Sequence, residues 1–487
     1  MTEWGFYGRS LEVRQLSEIL ARGRWFFVKI AGRRRIGKTF LINNVLKGGP
    51  GRKVFYVQVP DSGEPGVLSA VADALEVFHV PSDQFPRPRR MGDLARLVEE
   101  LARAGYVVVL DEFQYFNRKP YTEFCSLLQA AVDRATADAH GIRGGLIVLG
   151  SIHTEMQALL EERSAPLYNR VTDSIDLPHL DVAAVVQILR EHADAAPERL
   201  LFLWTLFEGV PKFYRDCYER GVLGADRGTL LRRIFFEGSS PLRSEADNWF
   251  LRELRGRYDT VLKFVARKPG STHGQLLEAI EAAREGSRDQ ISSYLKILSE
   301  RYRLVEGRLP IFARPEARKR RYYLSDNFLQ SWLAALANPV SARDFQPLDA
   351  LVGDADARLA DVEGHALERL AATLYEERSR KGLPGFPLTS RVVGYWDRGD
   401  VEIDLVAVNE RDNRIRFGSC KRNPSKLLAG VNDFRAHVRR FLDANPKYKA
   451  WTVEYVGVAP RLDADARRTL ARNHVQPEDL EELTRGL

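Results

Sequence analysis

The sequence predicts an α/β protein whose first domain is a doubly wound parallel sheet with helices on both faces. Short apolar runs rich in Val, Ile and Phe alternate with helical patterns over the first 180 residues. Such runs are typical of strands that are buried on both faces, which occur mainly in parallel sheets. A glycine-rich turn follows one run and a pair of carboxylates follows another. The predicted strands are WFFVKIAG, KVFYVQVP, YVVVLDEF and GGLIVLGS.

Changes of pattern divide the remainder of the 487 residues. Helical periodicity interrupted by a turn at Gly209, Val210 and Pro211 predicts a small helical lid. Three helical segments and a basic hairpin follow, in the order of a winged helix-turn-helix. A stretch rich in Pro, Asp and Ala indicates a linker, and a helix near Gly364 to Arg378 opens a last domain with a mixed sheet. The predicted boundaries are 1–180 for the core, 181–250 for the lid, 251–343 for the winged helix, 344–356 for the linker and 357–487 for the last domain.

Composition and charge exclude several classes of protein. The cysteines Cys125, Cys217 and Cys420 are too far apart to form a disulfide framework or a CxxC metal site. No apolar run approaches the roughly 20 residues that span a bilayer, so we expect no membrane partner and a cytoplasmic location. The net charge of +7 permits binding to nucleic acid without requiring it.

A phosphate-binding loop is indicated where the strand WFFVKIA meets the helix TFLINNVL. The loop matches GxxxxGK followed by Ser or Thr, a pattern in which backbone N–H groups converge on phosphate oxygens at a helix N-terminus. Lys38 is expected against the β and γ phosphates of ATP, and the Thr39 hydroxyl on Mg²⁺. The predicted nucleotide-binding residues are Gly32, Arg33, Arg34, Arg35, Ile36, Gly37, Lys38, Thr39 and Phe40.

Two adjacent carboxylates at the end of YVVVLDEF supply what hydrolysis needs beyond binding. Asp111 and Glu112 fall at the carboxyl edge of the predicted sheet, where open α/β sheets bind ligands. Asp111 is expected to hold Mg²⁺, directly or through water. Glu112 is expected to polarise the attacking water. The pair therefore predicts an ATPase and not only an ATP-binding protein.

Two further polar residues each have a functional and a structural interpretation. Ser151 ends the strand GGLIVLGS, where it could contact the γ-phosphate or orient water, or simply cap the following helix. Arg170 could act as an arginine finger on the nucleotide of a neighbouring subunit in a homo-oligomer. It could equally be an ordinary surface arginine.

Several segments are similar to the archaeal-type ATPases of the AAA+/STAND group, which have many bacterial members: FYGRSLEVRQL, IAGRRRIGKTFLI, VVVLDEFQYF, LGSIHTEM and PLYNRV. The likeness extends to EGVPKFY in the lid and RYRLVEGRLPIF in the winged helix. It implies that Phe6, Tyr7 and Arg9 lie near the adenine. It also implies that Ser151 is the sensor residue and raises the case for Arg170 as a finger. The mechanism it implies is a nucleotide-driven switch in which ATP draws core and lid together or joins subunits.

The last domain resembles the PD-(D/E)xK nuclease-like, restriction-endonuclease-like domain attached to many of these ATPases. Glu368, Asp404 and Lys421 fall at the expected places, but Ser419 stands where the family has an acidic residue. Because a hydroxyl is a poor Mg²⁺ ligand beside a carboxylate, the site is expected to be vestigial. Glu402, on the same strand face as Asp404, is a partial substitute. The alternatives are a catalytic nuclease, a nuclease-derived platform for DNA binding or assembly, and a domain of another kind whose resemblance misleads.

The winged-helix segment contains a basic surface. Ile291, Tyr294, Leu295 and Leu298 recur at helical spacing and are expected to face the core. The opposite face and the wing then offer groups for a DNA groove and for phosphates. Winged helices in this group also serve as interdomain spacers or protein-docking units. The candidate DNA contacts are Arg288, Lys296, Arg318, Lys319, Arg320 and Arg321.

Three hypotheses for function follow from these patterns. The first is an ATP-dependent switch protein that contacts DNA through its wing and degenerate nuclease-like domain. The second is an ATP-regulated, Mg²⁺-dependent DNA nuclease, against which Ser419 argues. The third is a protein-interaction hub whose ATP site controls assembly.

Overall fold

The protein consists of two compact units in a computed structural model. Residues Gly8–His179 form one unit, the P-loop unit. The N-terminal residues up to Tyr7 join Leu180–Leu487 in the other, the C-terminal unit. The structure describes residues 3–47, 51–118, 121–151, 153–240, 242–243, 245, 258–282, 288–315, 319–397 and 399–487.

The P-loop unit is a five-stranded parallel sheet with helices, as the alternation of strands and helices predicts. The strand order is β2-β3-β4-β1-β5, and every neighbouring pair runs parallel. Its elements are α1 (Ser10–Ala21), β1 (Phe27–Gly32), α2 (Lys38–Lys47), β2 (Val54–Gln58), α3 (Glu64–Val77), α4 (Met91–Arg103), β3 (Val107–Asp111), a 3₁₀ turn (Phe113–Phe116), α5 (Thr122–Ala137), β4 (Gly145–Gly150), α6 (His153–Leu160) and β5 (Asp173–Leu177).

The order of the strands determines which of the loops that follow them lie next to each other. Strand β4 lies between β1 and β3, pairing with β1 through Phe27↔Leu146 and with β3 through Val107↔Gly145. All three strands are parallel, so their carboxyl ends open at the same edge of the sheet. The loops after β1, β3 and β4 carry the phosphate-binding turn, the carboxylate pair and Ser151.

The first half of the C-terminal unit is helical, with a small antiparallel sheet of order β6-β8-β7. Two helices meet at Gly209–Pro211, which confirms the predicted turn. The elements are α7 (Val182–His192), α8 (Pro197–Phe207), α9 (Pro211–Glu219), α10 (Arg227–Leu231), a π turn (Arg232–Phe236), α11 (Asp259–Arg267), β6 (Ser271–Thr272), α12 (His273–Ala282), α13 (Arg288–Lys296), a π turn (Ile297–Arg301), β7 (Val305–Arg308), β8 (Arg321–Leu324), α14 (Asn327–Ser331), a π turn (Trp332–Leu336) and α15 (Ala337–Ser341).

The second half carries a mixed sheet of order β13-β12-β11-β10-β9, as predicted for the last domain. Strand β10 is antiparallel to β9 and β11, whereas β11, β12 and β13 are parallel. The elements are α16 (Leu348–Arg380), β9 (Val393–Trp396), β10 (Glu402–Asn409), β11 (Arg414–Cys420), α17 (Pro424–Ala429), α18 (Val431–Ala444), a 3₁₀ turn (Pro446–Ala450), β12 (Thr452–Ala459), α19 (Ala464–Arg472), β13 (Gln476–Asp479) and α20 (Leu480–Thr484).

The predicted linker at 344–356 is wrong from Leu348 onward, because α16 begins there and continues for 33 residues. Its early turns bury Leu351, Val352, Ala355 and Leu359, which recur at helical spacing. The Asp, Ala and Gly between them lie on the other positions and gave the segment its linker-like composition. None of the helices in the described part of the chain combines the length and apolar content that crossing a bilayer requires.

A single hydrophobic core joins the parts of the C-terminal unit that the sequence pattern separated. One buried cluster includes Leu203 of the predicted lid, Leu298 of the predicted winged helix, Leu367 of α16 and Val456 of the mixed sheet. Helix α16 contacts α8 and α10 as well as β10 and β11. The segments predicted as lid, winged helix and last domain therefore belong to one compact unit.

Glu377 of α16 fixes the start of α7 within this core. Its carboxylate is 1% exposed and accepts hydrogen bonds from the backbone N–H groups of Val182 (2.8 Å) and Ala183 (3.1 Å). We expect Glu377→Ala to lower the free energy of unfolding of the C-terminal unit by about 1–3 kcal/mol, since the buried N–H of Val182 and the half-buried N–H of Ala183 lose their acceptor. Urea denaturation measures this loss.

Asp361 offers a matched control, because it lies on the exposed side of the same helix. Asp361→Ala is expected to change the stability by less than about 0.5 kcal/mol. Equal effects of the two substitutions would contradict the capping role of Glu377.

Candidate nucleotide site

The phosphate-binding turn runs from the end of β1 to the start of α2. Gly37 has φ 96° and Arg35 has φ 66°, so the turn passes twice through the left-handed region. A Cβ on Gly32 would lie 2.9 Å from the backbone oxygen of Leu177, which makes glycine necessary there. Ile36 is fully buried, which holds the turn against the sheet. The glycines at both ends thus have structural reasons that match the motif.

The Lys38 ammonium lies against the backbone of this turn. It donates to the backbone oxygens of Gly32 (2.9 Å) and Arg33 (3.2 Å), and to the Ser151 hydroxyl (2.9 Å). The side chain is 6% exposed. Burial lowers the pKa of Lys38 to about 8, although the nearby Glu112 and Asp111 carboxylates act in the opposite direction. Most of the population is therefore protonated at neutral pH and carries a poorly solvated positive charge.

Asp111 is held by three donors. Its Oδ2 accepts from the hydroxyls of Thr39 (2.8 Å) and Tyr56 (2.6 Å), and its Oδ1 accepts from the backbone N–H of Glu112 (2.8 Å). Burial raises the pKa of Tyr56 above its ordinary range, and Asp111 raises it further. The hydroxyl therefore stays protonated as a donor. The Asp111 carboxylate and Thr39 hydroxyl lie together, as the motifs predict.

Sequence reasoning missed Tyr56. It lies on β2, which pairs with β3 in the register Tyr56↔Val109 and Gln58↔Asp111. Its side chain reaches Asp111 only because β2 and β3 are neighbours, and strand order cannot be read from the sequence. The one signal in the sequence was the hydroxyl of this tyrosine in the predicted strand KVFYVQVP.

Glu112 lies in the left-handed region at φ 57°, directly after β3. Its Oε2 accepts from the amide nitrogen of Gln114, and its Oε1 lies 3.4 Å from the Ser151 hydroxyl. The Gln114 oxygen in turn accepts from the backbone N–H of Ser151 (3.2 Å). Gln114 also escaped the sequence prediction, although it belongs to the DEFQ segment.

Ser151 occupies the position between the turn and the carboxylate pair that the strand order provides. Its hydroxyl accepts from Lys38 and donates toward Glu112. The hydroxyl is therefore directed to two residues of the predicted site. Residue 152, between Ser151 and α6, lies outside the described residues.

The remaining predicted residues of the P-loop unit lie around this centre or apart from it. Arg9 donates to the backbone oxygen of Ile36 in the turn (3.2 Å). Phe40 is 42% exposed on the first turn of α2. Arg170 forms a two-pronged ion pair with Asp133 of α5 at 2.8 and 3.1 Å. A finger role would require Arg170 to exchange Asp133 for a phosphate.

Tyr7 belongs to the C-terminal unit. Its hydroxyl donates to Glu191 (2.7 Å) and lies 2.5 Å from the Nε2 of His192, both at the end of α7. Burial raises the pKa of Tyr7 to about 12. Phe6, which the family resemblance also places near the adenine, is half-buried in the same segment.

The nuclease-like residues of the C-terminal unit are brought together around Asp404. Its Oδ2 accepts from the Lys421 ammonium (2.9 Å), the backbone N–H of Cys420 (2.7 Å) and the Ser419 hydroxyl (3.4 Å). Burial raises the pKa of Asp404 to about 6, and the charge of Glu368 on α16 adds to the shift. No three His, Cys, Asp or Glu side chains among the described residues are grouped so as to hold a metal ion.

The hairpin β7–β8 packs on the mixed sheet. Arg321 pairs with the Glu402 carboxylate at 2.6 Å and lies 4.8 Å from the centre of the Trp396 ring. The Trp396 indole donates to the backbone oxygen of Lys319 (2.7 Å), and Phe312 stacks on Tyr448 at 4.8 Å. Arg321, a candidate DNA contact, is therefore paired with Glu402, a candidate metal ligand.

The candidate groove face of the winged helix is only partly described. Ile291, Leu295 and Leu298 are buried, as predicted, whereas Tyr294 is half-buried. Lys296 and Arg320 are exposed, and Lys319 is half-buried. Arg318 and the side chain of Arg288 lie outside the described residues.

Burial raises the pKa of Glu368 to about 7, and the neighbouring Glu402 adds to the shift. Between its ordinary pKa of 4.5 and this value, the folded state binds a proton that the unfolded state has released. Stability contributed by this group is therefore lost as the pH rises through that interval. Glu368→Gln removes the free-energy cost of a buried ionised carboxylate. At pH 8 we therefore expect the variant to be more stable than the wild type by about 1–3 kcal/mol.

The difference in stability between Glu368→Gln and the wild type should vanish near pH 4, where the side chain of residue 368 is neutral in both proteins. Urea denaturation at both pH values, with EDTA present, measures it. A difference independent of pH would contradict the account of Glu368.

Two sequence comparisons find relatives of this chain. Residues 332–427 match the family DUF234, described as archaea bacterial proteins of unknown function. An uncharacterized protein of Methanocaldococcus jannaschii is 23% identical over 426 residues, which cover 85% of this chain and 87% of the relative.

Among solved structures, the chain is similar to the Walker-type ATPase of Pyrococcus abyssi. The TM-score is 0.51 at 17% identity, with 67% of this chain and 96% of that one covered. The ORC2 protein of Aeropyrum pernix matches with a TM-score of 0.46 at 16% identity, over 74% and 97% of the two chains. The fold is thus similar to that of an archaeal Walker-type ATPase, which confirms the predicted resemblance to archaeal-type P-loop ATPases.

Proposed function

We propose that this chain is an ATP-dependent switch protein that binds ATP with Mg²⁺ at the P-loop unit and hydrolyses it. One observation carries the proposal. Side chains from the ends of three parallel strands converge in a connected network: Lys38 and Thr39, Asp111 and Glu112, and Ser151. Each has the chemical type that its place in phosphoryl transfer requires.

The phosphate-binding turn fits the triphosphate. Its glycines give the backbone a path close to the ligand, and the start of α2 favours negative charge. The Lys38 ammonium lies beside two backbone oxygens of the turn. Because its charge is poorly solvated, exchange of these neutral acceptors for phosphate oxygens is favourable. Arg9 supports the turn through Ile36.

The Thr39 hydroxyl and the Asp111 carboxylate fit Mg²⁺, which prefers oxygen donors and is held by few protein groups when it also binds phosphate. When bound, Mg²⁺ neutralises charge on the phosphate oxygens. Tyr56 and the backbone N–H of Glu112 hold the Asp111 carboxylate in place.

Glu112 is the general base of the proposal. It lies one residue beyond Asp111 and shares Ser151 with Lys38. Its carboxylate can accept a proton from water, while the Ser151 hydroxyl orients the attacked phosphate or the water. The proposal extends to Arg170 as a finger toward a second copy of the chain, with its ion pair to Asp133 as the resting arrangement.

The switch is proposed to contact DNA through the C-terminal unit. Support comes from the winged-helix order of elements, from the net charge of +7 and from the exposed Lys296 and Arg320. Arg321 is engaged with Glu402, so the described hairpin offers fewer free cations than its sequence indicates.

We infer no nuclease activity, because the nuclease-like residues do not fit Mg²⁺. Ser419 supplies a hydroxyl instead of a carboxylate, and Lys421 is paired with Asp404. Glu402, the residue that the sequence offered in place of the missing acidic ligand, is already paired with Arg321. The cluster fits better as a platform in which Lys421 already pairs with Asp404, and Arg321 with Glu402.

Phosphate release from ATP, measured with and without duplex DNA while gels follow the DNA, tests the proposal. Mg²⁺-dependent hydrolysis that DNA stimulates, with the DNA left whole, is the expected result. Cutting that depends on Asp404 and Lys421 would replace the switch with an ATP-regulated nuclease. Hydrolysis indifferent to DNA would favour the protein-interaction hub, and no hydrolysis at all would contradict the ATPase.

A further inference from the structure

Gln114 connects the two loops that carry the candidate base and Ser151. It lies in the 3₁₀ turn Phe113–Phe116 and is 3% exposed. We propose that Gln114 is a positioning residue that orients the Glu112 carboxylate for hydrolysis. The inference rests on the proposed ATPase function, which it deepens by one residue.

The direction of the Gln114 amide follows from its partners. The backbone N–H of Ser151 can only donate, so the group facing it at 3.2 Å must be the amide oxygen. The amide nitrogen consequently faces the Glu112 carboxylate and donates to its Oε2. A glutamine satisfies both contacts at once, whereas a glutamate would satisfy Ser151 and repel Glu112.

The Glu112 carboxylate accepts one close hydrogen bond and one long one. Gln114 holds Oε2, whereas the contact of Oε1 with the Ser151 hydroxyl is long at 3.4 Å. Ser151 also accepts from Lys38, so its hydroxyl is shared between two partners. Gln114 is therefore the main fixed contact of the base. Its second bond, to the Ser151 backbone, couples the base to the loop after β4.

A purely structural role is the competing explanation, because Phe113 and Phe116 of the same turn are buried in the core. Three variants separate the two explanations. Gln114→Met keeps the volume without either hydrogen bond, and Gln114→Glu keeps only the acceptor for Ser151. Asn117→Ala is the matched control, because this exposed amide after the same turn donates to Glu155, outside the site.

The experiment measures steady-state ATP hydrolysis and the binding of a non-hydrolysable ATP analogue by the full chain. For Gln114→Met we expect kcat to fall between about tenfold and about a hundredfold, with KM and the analogue Kd changed less than twofold. For Gln114→Glu we expect kcat to fall at least as far, because a carboxylate at this position accepts from Ser151 but cannot donate to Glu112. Asn117→Ala should behave as wild type.

The outcomes distinguish this inference from the function beneath it. Wild-type kcat in Gln114→Met overturns the positioning role while leaving the ATPase intact. Equal loss of analogue binding and kcat, or a similar loss in Asn117→Ala, also overturns it, since that pattern indicates general damage to the turn. Absence of hydrolysis by the wild-type chain refutes the ATPase itself.

Discussion

Lys38→Ala is expected to reduce ATP hydrolysis by the full chain at least about a hundredfold, the scale of removing one preorganised charge at a transferring phosphoryl group. The ammonium is buried against the phosphate-binding turn and contacts Ser151. Alanine removes the charge and leaves the oxygens of Gly32 and Arg33 without their donor. Phosphate release at saturating ATP measures the loss, and nucleotide binding should weaken as well.

Lys29 provides a matched control on β1, the strand that leads to the turn. It is also 6% exposed, but its ammonium pairs with Glu161 at 2.6 Å and Asp176 at 3.7 Å instead of the turn. Lys29→Met removes a buried lysine of the same sheet and should retain most of the hydrolysis per folded molecule. If both variants lose activity equally, the role assigned to Lys38 is wrong.

Glu112→Gln is expected to lower hydrolysis by about 10²–10⁴-fold while leaving ATP binding intact, because general-base catalysis contributes on that scale. The amide has nearly the same shape as the carboxylate but cannot take a proton from water. It also keeps an oxygen that can accept from Gln114. Rapid-quench measurement of a single turnover, beside an equilibrium binding assay, separates the two effects.

Glu123→Gln serves as the control for charge, since Glu123 is an exposed carboxylate on α5. It should hydrolyse ATP at the wild-type rate. Loss of ATP binding in Glu112→Gln, in step with loss of hydrolysis, would contradict the base assignment and indicate a damaged site.

The parts of the site that belong to continuous segments could be predicted from the sequence. The turn at Gly32–Thr39 and the pair Asp111 and Glu112 each follow a buried apolar run, and the parallel sheet brings those ends to one edge. Ser151 could be placed on the same edge for the same reason. Local pattern was sufficient wherever one strand and its following loop carried the chemistry.

Tyr56 and Gln114 show what local pattern could not reveal. Tyr56 reaches Asp111 only because β2 lies beside β3, and Gln114 reaches Ser151 only because β4 lies between β1 and β3. Both contacts depend on strand order. Strand β5 (Asp173–Leu177) was not predicted either, because its polar residues alternate with apolar ones and lack the continuous apolar run.

The C-terminal unit was harder to predict because its core is shared. Leu351, Val352 and Ala355 bury one side of α16 in a segment whose composition indicated a linker. The same sharing produces the ion pair between Arg321 and Glu402, which no reading of either segment alone could anticipate. Element types were predictable there, whereas the assignment of elements to separate domains was not.

Calorimetric titration of the full chain with a non-hydrolysable ATP analogue tests the central claim most directly, with Mg²⁺ and then with EDTA. We predict one saturable site per chain that Mg²⁺ strengthens, with binding weakened in Lys38→Ala and in Asp111→Asn. Heats that stay at the level of dilution up to millimolar nucleotide, or binding that both substitutions leave unchanged, would contradict the assignment of this site.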